Sequence, residues 1–318
     1  MRVRISSVGL LMPLPASDNT QLAASIRGID AASLAALPTG AGVYRFLDAS
    51  DSPLYIGKSV NIRSRVQAHM RTLQEAALLR RTRRIDFFRM AGEIGALLLE
   101  SQLIKQWQPP YNVLLKSAAP AYALHLPKGS LQPQVVDYEE VARDAVHGLF
   151  ASRRSAEAGW RAQVRRHGLC PSLLGIEKTT LGRACFAHQL GQCRGACIGL
   201  ETPLAHTRRV HKALRQLDQY AWPYAGPIGI IENDGQLQQV HVVDRWAYLG
   251  SLSESQPVLR LPSRIRLDVD TFKILFAPLA AGLLAHVDLK IDINGRGLRT
   301  CTLPGQDTAA SPDASLSL

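Results

Sequence analysis

Gly42-Val43-Tyr44-Arg45-Phe46-Leu47, Ala49-Ser50-Asp51-Ser52 and Pro53-Leu54-Tyr55-Ile56-Gly57 decide the fold of the first part of the chain. The outer stretches read as strands and the middle one as a turn, which gives a β-hairpin. Just beyond it, Ser59 or Asn61 can cap a helix whose buried stripe is Ile62, Val66 and Met70. A third strand, Ile85 to Phe88, leads into a helix from about Glu93 to Trp107, which Pro109-Pro110 stops. The order β-β-α-β-α defines an α+β domain over residues 38–116, with a small antiparallel or mixed sheet and flanking helices. Residues 1–37, rich in Ala, Ser and Leu, read as an N-terminal extension with one weak helix ahead of Leu37-Pro38-Thr39-Gly40.

Two positions in this domain do not fit simple packing. Ala96, Leu97, Leu103 and Ile104 surround position 100 on the second helix, and position 100 is Glu. A carboxylate on an apolar face must be paired, protonated or bound to a cation, because leaving it charged and alone costs several kcal/mol. Glu100 therefore calls for a partner, either an Arg or a metal. On the first helix Arg65 and His69 lie four apart beside Ile62 and Val66, so a cation and an imidazole point the same way from next to the sheet. A lone His in that setting is more often structural than catalytic.

The whole chain has 318 residues and a formal net charge of +11, with 46 % hydrophobic and 20 % charged residues. That composition supports packed cores, excludes a wholly disordered chain, and suggests about two domains. No apolar run is long enough to span a bilayer; the richest, Leu275 to Val287, is broken by Pro278 and Gly282. The positive charge points to a polyanionic partner, since Lys and Arg bind phosphates by releasing counterions. Between Lys58 and Arg89 stand nine basic residues, eight of them Arg, against Glu75 and Asp86. That Arg bias suits forked contacts to phosphate better than the bland reading of a solvated helix face, with Arg63, Arg71, Arg80, Arg81, Arg83 and Arg84 as the candidates, but charge alone does not name the polyanion. The start of the chain faintly resembles a secretory signal, with Arg2 and Arg4 before Val8 to Leu14. Five cysteines, four of them clustered late, instead fit reduced thiols or a metal site in a reducing cytoplasm.

The second half, residues 117–303, reads as a further α+β region. Strands are centred on Ala121 to Leu126 and Gln134 to Tyr138, followed by a helix containing Arg143 and His147. Cys170, Cys185, Cys193 and Cys197 follow within 28 residues, separated by 14, 7 and 3 positions. Four such thiolates can complete a tetrahedral zinc site or hold an iron-sulfur cluster, although buried reduced thiols are an alternative. The helix from His206 to Tyr220 carries Arg208, Arg209, His211, Lys212 and Arg215, a candidate DNA or partner face that could equally be ordinary surface. A hairpin turns at Asn233-Asp234-Gly235, Asp268 and Asp270 read as turn or cap residues, and Cys301 stands alone in a tail-like stretch. Residues 304–318 read as a disordered tail.

Tyr44, Tyr55, Lys58, Arg65, Glu100 and Asn112, set in Gly42-Val43-Tyr44, Tyr55-Ile56-Gly57-Lys58 and Pro110-Tyr111-Asn112, together resemble the GIY-YIG nuclease family. The text from Leu54 to Val66, from Ala91 to Glu100 and through the cysteine segment is similar to the excinuclease branch of that family, that of Cho and UvrC. The resemblance implies a metal-dependent endodeoxyribonuclease that incises damaged double-stranded DNA on the 3′ side of a lesion in nucleotide excision repair. Glu100 matches the ligand of a Mg²⁺ or Mn²⁺ ion; a single carboxylate suffices when phosphate and waters supply the other positions. Tyr44 and Tyr55 match the pair that positions the attacking water, with either able to take its proton and Lys58 nearby to assist. Arg65 matches the arginine that stabilises charge on the pentacovalent phosphate, and Asn112 the supporting polar residue.

At the position four after that arginine UvrC commonly has Tyr, where this chain has His69, as in Cho. His69 can be the base or a donor to phosphate. The resemblance further implies a [4Fe-4S] cluster on the four cysteines, and a UvrA and UvrB damage-recognition complex as partner, with no membrane. UvrC carries a second catalytic domain and a helix-hairpin-helix module beyond this region, so a single incision is expected here. Two other readings are a structure-specific nuclease acting without a loader and a DNA-binding module with an inactive site.

Overall fold

The computed structural model describes residues 26–115, 120–140, 146–180, 182–218, 222–293 and 299–302. The signal-like start, Arg143 and the 304–318 tail lie outside them. The chain divides into two compact units, Met1–Lys116 and Ser117–Leu318.

In the first unit, α1 (Ala31–Ala35) precedes β1 (Gly42–Leu47), β2 (Pro53–Ser59), α2 (Ile62–Met70), α3 (Ala76–Arg81), β3 (Arg84–Arg89) and α4 (Glu93–Trp107). The strands form one antiparallel sheet in the order β2-β1-β3. Successive side chains on a strand point to opposite faces, and β1 is the central strand, so both of its faces are covered. Tyr44 and Phe46 pack with Ile62, Val66, Leu78 and Leu79 on one side. Val43 packs with Ile56, Ala96, Leu103 and Ile104 on the other. The segment read as an extension feeds the first of these cores through Ile29 and Leu37. Asp30 caps α1 by accepting the Ala32 and Ser33 N–H groups, both at 3.1 Å.

Asn61 is the cap of α2, its side chain accepting the Ser64 N–H at 3.0 Å. The predicted helix bounds of α4 coincide with those observed, and Gln108 ends it in the left-handed conformation, with φ 51°, directly before Pro109.

Among the described residues the second unit holds three further antiparallel sheets. Strands β4 (Tyr122–His125), β5 (Gln134–Asp137) and β6 (Val146–Phe150) form the first, in the order β5-β4-β6. Helices α5 (Arg153–Arg166) and α6 (Pro203–Arg215) pack Trp160, Val164, Val210 and Leu214 against Leu124. His147 thus lies on a strand, not on the expected helix. Gly148 sits beside it at φ +77°, and the pairing of β6 with β4 slips there, which breaks the pattern that a regular strand would show.

The remaining strands are β7 (Ile228–Asn233), β8 (Gln238–Asp244), β9 (Ala247–Leu252), β10 (Val258–Arg260), β11 (His286–Asp288), β12 (Asp292–Ile293) and β13 (Arg299–Thr302). They assemble as β11-β7-β8-β9 and β10-β13-β12. The hairpin at Asn233-Asp234-Gly235 joins β7 to β8 as read, and Asp268 caps α7 (Val269–Ala280). Cys301 is not in a tail. It is buried on β13 against Val240, Val242 and Leu252, because β13 pairs with β10 and β12. Among the described residues no helix is long and apolar enough to cross a membrane.

Candidate active site and cysteine cluster

Antiparallel register sets Tyr44 of β1 opposite Gly57 of β2, and Phe46 opposite Tyr55. A Cβ at Gly57 would lie 2.5 Å from the Tyr44 hydroxyl oxygen and 2.9 Å from the Tyr55 ring. Position 57 therefore has to be glycine for the two phenols to share one side of the sheet. Tyr44 is 1 % exposed and His69 4 %, and the rings of Tyr44, Phe46, Tyr55 and His69 meet with centroids 5.3 to 6.3 Å apart.

The hydroxyl of Tyr44 lies 2.6 Å from His69 Nε2. On its other side, His69 Nδ1 meets the Glu75 carboxylate, which lies beyond the end of α2. An ionised carboxylate only accepts, so Nδ1 carries the proton and Nε2 accepts from Tyr44. Arg65 and Tyr55 stand near enough to the Tyr44 hydroxyl to act on its ionisation. Burial, then the neighbouring Tyr55, pushes the Tyr44 phenol far above its ordinary range, with Arg65 opposing. Tyr55 is raised as well, first by burial and then by Glu100, again against Arg65.

Glu100 comes from α4, as the wheel of that helix required. Its Oε1 accepts the Lys58 N–H at 2.9 Å, and its other oxygen has no partner among the described residues. Burial raises its proton affinity, opposed by the Lys58 N–H and the charges of Lys58 and Arg65. A half-buried carboxylate with one oxygen held and the other open fits a hard divalent cation whose remaining ligands are water and phosphate. The Lys58 ammonium is 2.5 Å from Glu93. Asn112 does not reach the phenols; its side chain bonds both backbone groups of Ile56, at 2.9 and 2.8 Å, and so fixes the outer edge of β2 between Tyr55 and Gly57.

The structure therefore gathers Tyr44, Tyr55, Arg65 and His69 around one hydroxyl, with Glu100 and Lys58 beside them and Asn112 behind. Sequence reasoning missed Glu75 and Glu93. The signal for Glu75 was present as an acid six residues after His69, but it falls past the end of α2, where helical spacing no longer applies.

Several of the candidate DNA-binding arginines are engaged by neighbouring groups of the first unit. Arg63 donates to the Leu37 carbonyl at 2.7 Å, Arg83 to the Arg80 and Thr82 carbonyls at 2.9 Å, and Arg84 to Asp51 at 2.8 Å. Arg81 lies over the Tyr111 ring at 5.8 Å. Arg71 follows directly on α2, and Arg80 lies in the last turn of α3.

In the second unit, the thiols of Cys170, Cys185 and Cys197 lie within 4.8 Å of one another. Cys193 packs in the same cluster and accepts the Gly195 N–H at 3.3 Å. None is in a disulfide. Burial pushes Cys170 up to about 11 and Cys185 higher still, whereas hydrogen bonds from the Cys185 N–H and adjoining thiols outweigh burial at Cys197 and lower it. Converging buried thiols of this kind can hold a metal.

This fold and this site define a GIY-YIG endonuclease of the UvrC type. Residues 40–113 match the UvrC-like GIY-YIG domain, 121–216 the UvrC/Cho excinuclease middle domain, and 227–291 the excinuclease Cho C-terminal domain. Excinuclease Cho of Salmonella typhi is 42 % identical over 266 residues, 81 % of this chain and 89 % of the relative. The Escherichia coli K12 protein is 42 % identical over 253 residues, 77 % and 84 % of the two chains. UvrABC system protein C of Trichlorobacter lovleyi is 34 % identical over 194 residues, 58 % of this chain and 32 % of the relative. A solved N-terminal domain of Thermotoga maritima UvrC, bound to magnesium, is covered in full by 31 % of this chain, at 22 % identity and a TM-score of 0.24. The chain belongs to the excinuclease Cho family.

Proposed function

We propose that this endonuclease incises on the 3′ side of a lesion in duplex DNA, at sites prepared by a UvrA and UvrB damage-recognition complex. The observation that supports it is the hydrogen-bonded run from Tyr44 through His69 to Glu75, with the Tyr55 ring packed against Tyr44, set beside the open oxygen of Glu100. Tyr44 is enclosed and its hydroxyl is engaged by His69, so Tyr55, half-buried and next to Glu100, is the phenol that meets the attacking water. As the water oxygen bonds to phosphorus, the P–O bond to the leaving deoxyribose oxygen breaks and that oxygen takes a proton from solvent, while the attacking water's proton passes to the Tyr55 oxygen, the Tyr55 proton to Tyr44, and the Tyr44 proton to His69 Nε2. The positive charge that develops on His69 faces Glu75. Arg65 stabilises the charge that builds on the phosphate. Glu100 would hold Mg²⁺ or Mn²⁺, which when bound supplies Lewis acidity at the phosphate.

We further propose that Cys170, Cys185, Cys193 and Cys197 hold a [4Fe-4S] cluster rather than zinc. Visible absorption together with metal analysis of the purified protein decides between them.

The test of function is nicking of a duplex that carries one bulky adduct, end-labelled on the damaged strand, with UvrA, UvrB, ATP and Mg²⁺. Wild type gives a 3′-side nick that needs the loader and is lost with EDTA, and Glu100→Ala cuts at least about 10³-fold more slowly, since one carboxylate anchors the ion. Cutting of branched DNA without the loader would show a structure-specific nuclease instead. Tight DNA binding with no cut under any metal would show a binding module.

A further inference from the structure

The second unit carries a dense positive surface for which the incision chemistry has no use. Helix α6 places Arg208, His211, Lys212 and Arg215 at spacings of three, four and seven, so all four share one exposed face. Two adjoining depressions, each of about 620 Å³, share Lys212. One is lined by that face of α6. The other adds Arg165 and Arg166 from the end of α5 and Arg194 from the loop of the cysteine cluster.

Three features distinguish these depressions from ordinary solvated surface. No acidic side chain lines either of them. The nearby acid, Glu201, is taken up by Arg209 through two bonds of 2.7 and 2.6 Å, and Arg209 also donates to the carbonyls of His167 and Gly168, which ties α6 to the end of α5. Arg165, Arg166, Arg194, Arg208, Lys212 and Arg215 make no ion pair among the described residues. The cations therefore sit on a braced frame with their charge uncompensated. A protein partner would need an apolar centre to its interface. No large apolar side chain lines either depression, and the surface is suited to a row of phosphates.

We infer that this groove, from Arg165 and Arg166 across Lys212 to Arg208 and Arg215, is a second DNA-binding surface that tracks the phosphodiester backbone without reading base sequence. The inference rests on the reading of the chain as a DNA nuclease and extends it to a surface outside the nuclease centre. Loading onto DNA would then depend on two anchor points, one at the reacting phosphate and one on this unit.

Binding of the full-length protein to a short fluorescent duplex in EDTA, followed by anisotropy over a range of salt, tests it. Arg165→Glu with Lys212→Glu, and Arg208→Glu with Arg215→Glu, should each weaken binding by about tenfold or more at low salt. Each should also flatten the plot of log K against log salt, by roughly 0.9 for every phosphate that is no longer neutralised. Lys212→Arg should bind as wild type. Arg260→Glu, the same charge change on exposed β10, should leave both quantities nearly unchanged. Thermal melting of every variant confirms folding, and the milder pair Arg165→Gln with Lys212→Gln gives the same reading if a reversed charge unfolds the unit. Wild-type affinity and salt slope in both groove variants would overturn the inference and leave the nuclease reading standing. Failure of the wild-type protein to bind duplex at any salt would remove that reading, and this inference with it.

Discussion

The nuclease centre and the cysteine cluster hold their polar groups together by opposite means. Around Tyr44 every group has a protein partner: the phenol bonds His69, His69 bonds Glu75, and Asn112 and Lys58 tie β2 to its surroundings. One carboxylate oxygen of Glu100 is left open among the described residues. In the cysteine cluster the thiols converge on one another, a single-turn helix, Phe186–Gln189, and short loops surround them, and burial raises two of the three that could share a metal. The first site is built by a sheet and two helices, and in the proposed function its open carboxylate takes a metal for chemistry. The second has thiols where a small core would be, and if they hold the proposed cluster, its binding supplies the folding energy that such a core would give.

The largest effect is therefore expected at Cys170. Structural metal sites of this type contribute on the order of 10 kcal/mol to folding. Cys170→Ser, or removal of the bound metal, should abolish the cooperative unfolding of the second unit or lower its midpoint by roughly 10 °C or more. Limited proteolysis should then cut between residues 170 and 200 while the first unit stays resistant. Equal resistance of wild type and variant would show that the thiols are ordinary buried side chains.

The mirror experiment perturbs the first site without touching a charge. Gly57→Ala places a methyl group 2.5 Å from the Tyr44 hydroxyl oxygen, and Tyr44, fully packed in the core and bonded to His69, has no room to move away. Overpacking of this kind costs about 1–3 kcal/mol of stability. A displacement of the phenols should cost roughly 10²-fold in incision rate. Calorimetry and single-turnover cutting measure the two effects separately, and an unchanged rate would show that the phenols need no fixed placement.

The first site is far more legible in the sequence than the second, and the reason is physical. Strand alternation in β1 and β2, the Asn61 cap and the prolines after α4 are local signals, and each survives folding. Glu100 announces itself because a charge on an apolar stripe has to be explained. Glu75 does not, because its partner is met only after the chain turns past Met70. His147 reads as helical because Gly148 interrupts the strand pattern, while the strand itself is imposed by pairing with β4. Cys301 reads as tail because its neighbours in the core, Val240, Val242 and Leu252, are some fifty residues distant. Local chemistry is written locally, and pairing between distant segments is not.

Glu75 offers the smallest and most discriminating effect. If the carboxylate only fixes the ring of His69, Glu75→Gln should be nearly silent, because an amide oxygen still accepts from Nδ1. If it also stabilises the charge that His69 gains as the proton arrives from Tyr44, loss of its negative charge raises the barrier. A tenfold fall in rate corresponds to about 1.4 kcal/mol, the scale of one partly exposed electrostatic contact. We expect that fall in the single-turnover rate, with little change in DNA affinity. Glu75→Ala should be slower again, because His69 then loses the acceptor that fixes its tautomer and Nε2 is free to carry the proton. A Gln variant as fast as wild type beside a slow Ala variant would reduce Glu75 to a positioning residue and end the proton path at His69.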